Sequence, residues 1–211
     1  MEKLPLKKEE DFAPAIAATI RVFEQGGSVI FPTDTLYALG CNALEPVAVG
    51  RLFDIKRRTY TAAIPVLVRD LLWARELVSL DVRAERLASA HWPGRLTIVA
   101  RRTAMVPAMT AGGGQTLGVR APDHPFVQRL LQTYGYPLCG TSANLSGQDS
   151  SQNPARIVAQ FDGLSRVPDL LLDAGILPPS EPSTVVDVSG VRSRITRQGA
   201  IRADHILPYL T

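Results

Sequence analysis

The stretch SVIFPTDTLYALGC, residues 28–41, joins a predicted strand to an unusually polar turn. Residues 28–31 have the apolar, β-branched character of a buried strand, and Pro32 should end it because proline donates no ladder hydrogen bond. The next five positions carry four side chains that can hydrogen-bond, namely Thr33, Asp34, Thr35 and Tyr37. A plain turn needs less hydrogen-bonding capacity than this. The polar side chains after the strand therefore indicate a further role for the turn.

The length and composition of the chain favour one large α/β domain. Its 211 residues, 45% of them hydrophobic, can bury a sizeable core, and the predicted domain covers residues 1–211. Cys41 and Cys139 lie beside apolar strand-like sequence, without metal-site spacing or the density of a disulfide framework. No stretch reaches the roughly 18 apolar residues that span a bilayer. We therefore expect a cytoplasmic protein that is neither secreted nor embedded in a membrane.

The charge of the chain permits an anionic partner without requiring one. The net charge is +3. Of the 23 basic residues only four are lysine: Lys3, Lys7, Lys8 and Lys56. Arginine, the better bidentate ligand of phosphate and carboxylate, therefore dominates. Lys56, Arg57 and Arg58 end a predicted helix, where one cation could serve as a cap, but three in a row favour an anion site.

Helical and strand patterns alternate along the chain. Apolar residues at helical spacing predict helices at 12–25, 46–55, 70–77, 81–90 and 124–134. Short apolar runs predict strands at 28–31, 64–68, 95–101, 116–120, 136–140, 169–173, 183–188 and 194–197. This alternation indicates an α/β domain with a mixed sheet covered by helices. The polar stretch 146–155 is expected to be a surface loop, and the glycine-rich stretch 111–115 a plain turn.

A second polar cluster repeats the pattern of the first. In GTSANLSG, residues 140–147, a predicted strand leads into Thr141, Ser142, Asn144 and Ser146. These side chains could cap a helix or make side-chain turns. Two such clusters beyond strand ends favour a binding crevice at the edge of the sheet. Further candidates lie at strand ends: Arg120, Ser183, Thr184, Arg192, Arg194 and Arg197.

Two kinds of catalysis are disfavoured by what the sequence lacks. His91, His124 and His205 have no metal-ligand spacing, and no nucleophile lies in an elbow motif such as GxSxG. A bound transition metal and covalent catalysis are therefore not expected. Hydroxyls, one amide and fixed cations suit the positioning and charge stabilisation of anionic substrates.

Six ordered motifs resemble a known family. FPTDTLYALGC, KRR, PGRLTIV, LGVRAPDHP, TSANLSG and STVVDVS occur in the order and approximate spacing of the YrdC-domain family, the threonylcarbamoyl-AMP synthases. The resemblance runs from about residue 16 to residue 200. It implies a twisted, mostly parallel or mixed sheet with surrounding helices and a large, positively lined cavity. It also implies that L-threonine, bicarbonate and ATP are converted to threonylcarbamoyl-adenylate and pyrophosphate, for the threonylcarbamoyladenosine modification of tRNA.

The resemblance implies roles for individual residues. Threonine would be held by Thr35, Arg120, Thr141 and Ser183, which would make the TDT turn a substrate-binding turn. Lys56 and Arg58 would be the catalytic cations at the phosphates, joined by Arg197. The other nucleotide contacts would be Thr116, Ser142, Ala143, Asn144 and, in a closed state, Ser151. Mg²⁺ would arrive with ATP rather than on protein side chains.

The chain departs from the family pattern after the KRR motif. Many members continue with Pro, Asn-Pro and a His, where this chain has Thr59, Ala62, Ala63 and Leu67. One polar contact to phosphate and one to threonine would then be missing, which predicts weaker substrate affinity or a paralogue with lower or different activity. The resemblance is to the short bacterial form, which passes its adenylate to a separate transferase complex.

The alternative is an RNA-binding or nucleotide-binding module without turnover. A basic cavity attracts the backbone of double-stranded RNA as well as ATP, and such binding falls steeply with salt. Only 6% of the residues are aromatic, however, and no stacking platform is evident. The synthase is therefore the preferred hypothesis.

Overall fold

The structure, a computed structural model, describes residues 1–210; residue 211, the end of the predicted domain, lies outside them. The strands are β1 (Glu2–Pro5), β2 (Val29–Pro32), β3 (Tyr37–Gly40), β4 (Val66–Leu67), β5 (Val78–Ser79), β6 (Leu96–Arg102), β7 (Thr116–Arg120), β8 (Leu138–Cys139), β9 (Thr141–Ser142), β10 (Leu170–Asp173), β11 (Thr184–Asp187) and β12 (Arg194–Arg197). The helices are α1 (Phe12–Glu24), α2 (Pro46–Lys56), α3 (Leu71–Leu77), α4 (Val82–His91), α5 (Pro125–Tyr134), α6 (Pro154–Phe161) and α7 (Ala203–Ile206). Two short 3₁₀ helices span Glu9–Asp11 and Leu207–Tyr209.

The strands form two sheets. The first has the order β1-β10-β2-β3-β9, and the second has the order β12-β11-β6-β7-β4-β8 with β5 paired to β6. Among residues 1–210, four strand pairings are parallel and six are antiparallel. The predicted α/β fold with mixed sheets is confirmed.

The polar turn of residues 33–36 connects two antiparallel strands of the first sheet. Pro32 ends β2, as predicted, and pairs with Tyr37 at the start of β3. Both strands are buried along their whole length. The sequence predicts the first strand but not the second, because YALG is short and follows the polar residues directly. The turn is therefore a hairpin loop fixed on both sides by the core.

The end of α2 separates two neighbouring cations. The helix begins at Pro46 with Glu45 as its cap and ends at Lys56. Arg57 then adopts a left-handed conformation with φ of 51°, which is uncommon for a residue with a side chain. The chain turns sharply at this residue. As a result Lys56 is buried at the end of the helix, whereas Arg58 remains partly exposed beyond it.

The chain crosses from the second sheet to the first at Gly140. This glycine is the single residue between β8 and β9, and its backbone N–H donates to the carbonyl oxygen of Pro65 at 2.9 Å. A Cβ atom at this position would lie 2.7 Å from the side chain of Leu67. Only glycine therefore allows this approach without displacing Leu67. The crossing places β9 and its polar residues beside β3.

Several elements were not predicted from the sequence. Strands β1, β5 and β9 are short, and β1 contains charged residues that gave no strand pattern. Helix α6 begins at Pro154, inside the stretch 146–155 that was expected to be a loop. Within residues 1–210 no helix is both long and apolar enough to cross a bilayer.

Candidate functional site

A cavity of about 560 Å³ is lined by residues from both sheets. Its lining includes Thr33, Thr35, Leu36, Tyr37, Ala38, Arg58, Ala63, Pro65, Leu67, Thr97, Arg120, Gly140, Thr141, Ser142, Ser150, Gln152, Ser180, Pro182, Ser183 and Arg197. Both polar clusters of the sequence therefore meet at one place. The volume lies in the range of small-molecule sites.

The TDT turn is held rigidly by one hydroxyl. Thr33 Oγ1 accepts from the backbone N–H of Thr35 at 3.1 Å and of Leu36 at 3.2 Å, and it donates to the carbonyl oxygen of Leu36 at 2.7 Å. A side-chain turn of this kind satisfies the loop's backbone locally. It presents the Thr35 hydroxyl to the cavity.

Arg120, at the end of β7, is fixed by three hydrogen bonds. Its Nε donates to the carbonyl oxygen of Gly94 at 2.9 Å, Nη1 to Thr35 Oγ1 at 3.1 Å and Nη2 to Asp34 Oδ1 at 2.6 Å. The side chains of Arg120 and Asp34 are each only 8% exposed. Burial lowers the pKa of Arg120, while the carboxylate of Asp34 opposes that shift. A guanidinium has five N–H groups, so two remain, the number that one carboxylate accepts in a bidentate pair.

A second group of hydroxyls lies at Ser183, just before β11. Thr97 Oγ1 and Ser183 Oγ are 2.8 Å apart, and Arg197 Nη2 donates to Ser183 Oγ at 3.0 Å. Arg197 also donates twice to the carbonyl oxygen of Ser183, at 3.0 and 2.9 Å. Burial lowers the pKa of Arg197. Ser183 is thereby fixed between a hydroxyl and a cation.

Lys56 does not line the cavity but holds the TSAN segment from behind. Its Nζ lies 2.6 Å from the carbonyl oxygen of Ser142, and 2.7 Å from the carbonyl oxygen and 3.2 Å from Oδ1 of Asn144. These three acceptors need all three hydrogens of an ammonium group and so favour the charged form. Burial and the neighbouring Arg58 act in the opposite direction and lower the pKa of Lys56 to about 7. The contact of Lys56 with a phosphate therefore stays a prediction.

Arg58 points its guanidinium to the cavity. One of its N–H groups donates to the carbonyl oxygen of Ala63 at 3.2 Å, and burial lowers the pKa of the side chain. Its other donors have no hydrogen bond within residues 1–210. This leaves Arg58 with more free donors for an anion than Arg120.

Seven of the twelve site residues that the family resemblance implies line this cavity. The cavity is lined by Thr35, Arg58, Arg120, Thr141, Ser142, Ser183 and Arg197. Five do not line it: Lys56, Thr116, Ala143, Asn144 and Ser151.

Local structure accounts for the position of three of these five, Thr116, Ala143 and Ser151. Thr116 starts β7, whereas Arg120 ends it, so the two lie about 13 Å apart along the strand. Ala143 is buried, and its N–H donates to the carbonyl oxygen of Tyr37. Ser151 accepts from the N–H of Asn153, and its neighbours Ser150 and Gln152 reach the cavity instead.

The departures from the family pattern lie partly in the site. Leu67 lines the cavity although its side chain also packs in the core and is only 4% exposed. Ala63 lines the cavity, whereas Ala62 does not.

Two important residues were missed by sequence reasoning. Thr97 lies in the apolar run RLTIV, where a buried threonine in the middle of a strand was the available signal. The role of Asp34 has no local signal in the opening motif, because its partner Arg120 is 86 residues away.

The cavity, lined by arginines and hydroxyls, lies where the two mixed sheets meet. The family model for Sua5, YciO and YrdC proteins, described as telomere recombination, matches residues 21–199. The chain is a member of the Sua5/YciO/YrdC family.

Curated relatives share one name. A threonylcarbamoyl-AMP synthase of Pyrococcus abyssi is 32% identical over 185 residues, covering 86% of this chain and 53% of the relative. A threonylcarbamoyl-AMP synthase of Pseudoalteromonas translucida is 34% identical over 178 residues, covering 82% of this chain and 92% of the relative. The chain thus spans about half the length of the Pyrococcus protein.

Solved structures have the same fold. P. abyssi Sua5 complexed with L-threonine superposes with a TM-score of 0.88 at 28% identity, over 99% of this chain and 60% of that one. Escherichia coli YciO superposes with a TM-score of 0.83 at 26% identity, over 100% of this chain and 98% of that one.

Proposed function

We propose that this protein is an L-threonylcarbamoyladenylate synthase, a nucleotidyltransferase that acts on L-threonine, bicarbonate and ATP. The observation that carries the proposal is the fixed guanidinium of Arg120, with two N–H groups left for a carboxylate, in a cavity that also holds Arg58 and Arg197. The name shared by the relatives and the threonine complex of Sua5 support it over a non-catalytic RNA-binding module.

The amino-acid end of the cavity is assigned to Arg120 and the hydroxyls around it. Arg120 takes the threonine carboxylate, and Thr35 contacts the same substrate from the rigid turn. Thr141 and Ser183 complete this end of the cavity, and Ser183 is already oriented by Thr97 and Arg197. Preorganised donors need little rearrangement on binding, which favours affinity and orientation.

The phosphate end of the cavity is assigned to Arg58, Arg197 and Ser142. Threonine's amine and bicarbonate give a carbamate with loss of water. A carbamate oxygen then attacks the α-phosphate of ATP while pyrophosphate leaves. The cations balance the charge on the phosphates, and Lys56 acts indirectly by holding the Ser142–Asn144 segment. Catalysis then rests on positioning and electrostatic stabilisation, as in other phosphoryl and nucleotidyl transfers.

Magnesium is assigned to the nucleotide rather than to the protein. Among residues 1–210 no three His, Cys, Asp or Glu side chains are grouped as a metal site. Mg²⁺ would enter the site bound to ATP. The unstable adenylate would pass to a tRNA threonylcarbamoyltransferase complex in the cytoplasm.

The proposal is tested by product formation. The protein is incubated with ATP, Mg²⁺, labelled bicarbonate and a panel of amino acids, and pyrophosphate and labelled adenylate are measured. We expect both products only when threonine and bicarbonate are present together. The Arg120→Gln variant should lose this activity, and Arg129→Gln, which removes an exposed arginine paired with Glu9, should keep it. Pyrophosphate release indifferent to threonine and bicarbonate, with tight salt-sensitive binding of duplex RNA, would favour the module.

A further inference from the structure

A second cavity of about 370 Å³ lies behind the TDT turn. It shares Thr33, Thr35 and Ser180 with the first cavity, so the turn is the wall between them. Its lining also includes Asp34, Arg95, Asp123 and His124. The two cavities therefore expose opposite sides of one three-residue segment.

Asp34 is the buried acid in this wall. One carboxylate oxygen, Oδ1, accepts from Arg120, but Oδ2 is buried and has no hydrogen-bond partner among residues 1–210. A buried carboxylate oxygen without a partner costs free energy, and hydrogen bonding to Arg120 alone would be served by an amide such as asparagine. The negative charge itself is the property that asparagine would lack.

The charges around Asp34 are mostly positive. Arg120 touches it, and Arg95 and Arg197 act electrostatically on Arg120 from either side. The exposed Asp123 and the half-buried His124 are the other titratable groups that line the second cavity beside Asp34 and Arg95. Burial lowers the pKa of His124, so at pH 8 this imidazole is neutral. Asp34 is then the group that offsets Arg120 at close range.

We propose that Asp34 is a specificity-determining residue that makes the amino-acid end of the cavity select a zwitterion over a simple carboxylate anion. The inference rests on the proposed function, since it concerns the same substrate end. With Asp34 charged, Arg120 still donates hydrogen bonds to a carboxylate, but its positive charge is offset. An ammonium group on the neighbouring carbon of the substrate is then tolerated.

Removing the charge of Asp34 should weaken this selection. Uncompensated arginines would attract any carboxylate and repel the ammonium group next to it, because like charges at close range disfavour each other. Asparagine keeps the size of the side chain and an acceptor for Arg120. The substitution therefore removes the charge, and it also places an NH2 group at the buried position of Oδ2.

The test compares L-threonine with (R)-3-hydroxybutyrate, which is threonine without its amino group. Dissociation constants for both ligands are measured by titration calorimetry at pH 8 on the full chain and on Asp34→Asn. We expect the wild-type protein to prefer threonine, and the preference to fall at least about tenfold in Asp34→Asn, as a charge partner at close range typically produces. A merely structural role would weaken both ligands in parallel and leave their ratio unchanged, which would overturn the proposal.

Two further variants complete the test. Asp123→Asn removes the exposed acid that lines the second cavity and should leave the dissociation constants of both ligands unchanged. Asp34→Glu keeps the charge and should keep the preference even if both ligands bind more weakly, so loss of preference in folded Asp34→Glu would also overturn the proposal. This second variant decides the question if Asp34→Asn does not fold. Failure of the wild-type protein to bind threonine at all would instead count against the proposed function.

Discussion

Lys56 and Asn144, 88 residues apart in the chain, are joined by two hydrogen bonds from one ammonium group. The third hydrogen of that group goes to the carbonyl oxygen of Ser142. The carbonyl oxygen of Lys56 in turn accepts from the backbone N–H of Ser146 at 3.0 Å. One residue at the end of α2 therefore holds both ends of the polar segment that follows β9.

Replacing Lys56 with methionine should release this segment. Methionine has a similar length but no donors, so the carbonyl oxygens of Ser142 and Asn144 lose their ammonium partner, at a cost on the order of 1–3 kcal/mol each in an unrelaxed structure. Asn144 Oδ1 still accepts from the hydroxyl of Ser142. We expect a lower melting temperature and a higher KM for ATP, with a smaller change in threonine binding. Thermal melts and steady-state kinetics measure both. An unchanged KM for ATP in a folded variant would show that the segment keeps its position without Lys56.

The same residue should make stability depend on pH. In the folded protein burial lowers the pKa of Lys56 from 10.5 to about 7. Between these values the unfolded chain keeps the proton and the folded chain releases it, so the free energy of unfolding rises with pH. Below about pH 7 both states are protonated, and this contribution stays at its least favourable level.

Urea unfolding of the wild-type protein and Lys56→Met at pH 6, 7.5 and 9 isolates this contribution. The free energy of unfolding of wild type minus that of the variant should increase from pH 7.5 to pH 9. A difference that is flat over this range would mean that the three acceptors keep Lys56 charged at alkaline pH.

Arg58 should matter for ATP and Arg57 should not. A charge-assisted contact to phosphate contributes on the order of 1.5–3 kcal/mol, so Arg58→Ala should raise the KM for ATP roughly ten- to hundredfold. Arg57→Gly is the matched control, because Arg57 is exposed and its φ of 51° suits glycine. Steady-state kinetics with varied ATP measure both. Equal effects of the two substitutions would assign the role to general surface charge.

Leu67→His should lower the stability of the fold and add a polar contact to the cavity. The side chain lines the cavity and also packs against Gly140, and Leu67 pairs with Arg120 across β4 and β7. A confined imidazole should lower stability by roughly 1–3 kcal/mol while lowering the KM for threonine. Ala62→Asn is the control without effect, because Ala62 lies outside the lining. A lower melting temperature with an unchanged KM would make Leu67 a core residue only.

The sequence predicted the elements whose local signals are strong. Helix α1 has apolar residues at helical spacing and ends at glycines, and Gly26 indeed has a φ of +67°. Helix α6 also has start signals in the sequence: Asn153 caps it and Pro154 is its first residue. The polar composition of the preceding residues outweighed them.

Neither strand β1 nor the burial of Lys56 is indicated by a local sequence pattern. Residues Glu2–Pro5 form a strand because they pair with Leu170–Asp173, at the other end of the chain. Lys56 belongs to a basic run, yet it is buried and donates to the carbonyl oxygens of Ser142 and Asn144. Burial of this kind depends on tertiary packing, which no local pattern contains.

Three of the hydrogen bonds around the cavity join segments that are far apart in sequence. Thr35 and Arg120 are 85 residues apart, Thr97 and Ser183 are 86 apart, and Lys56 and Asn144 are 88 apart. Contacts of such long range form slowly, because much of the chain must be ordered first. During synthesis none of these bonds can form before residue 120 has emerged, and the last must wait for residue 183. Ligand binding at this cavity would thus report completion of folding.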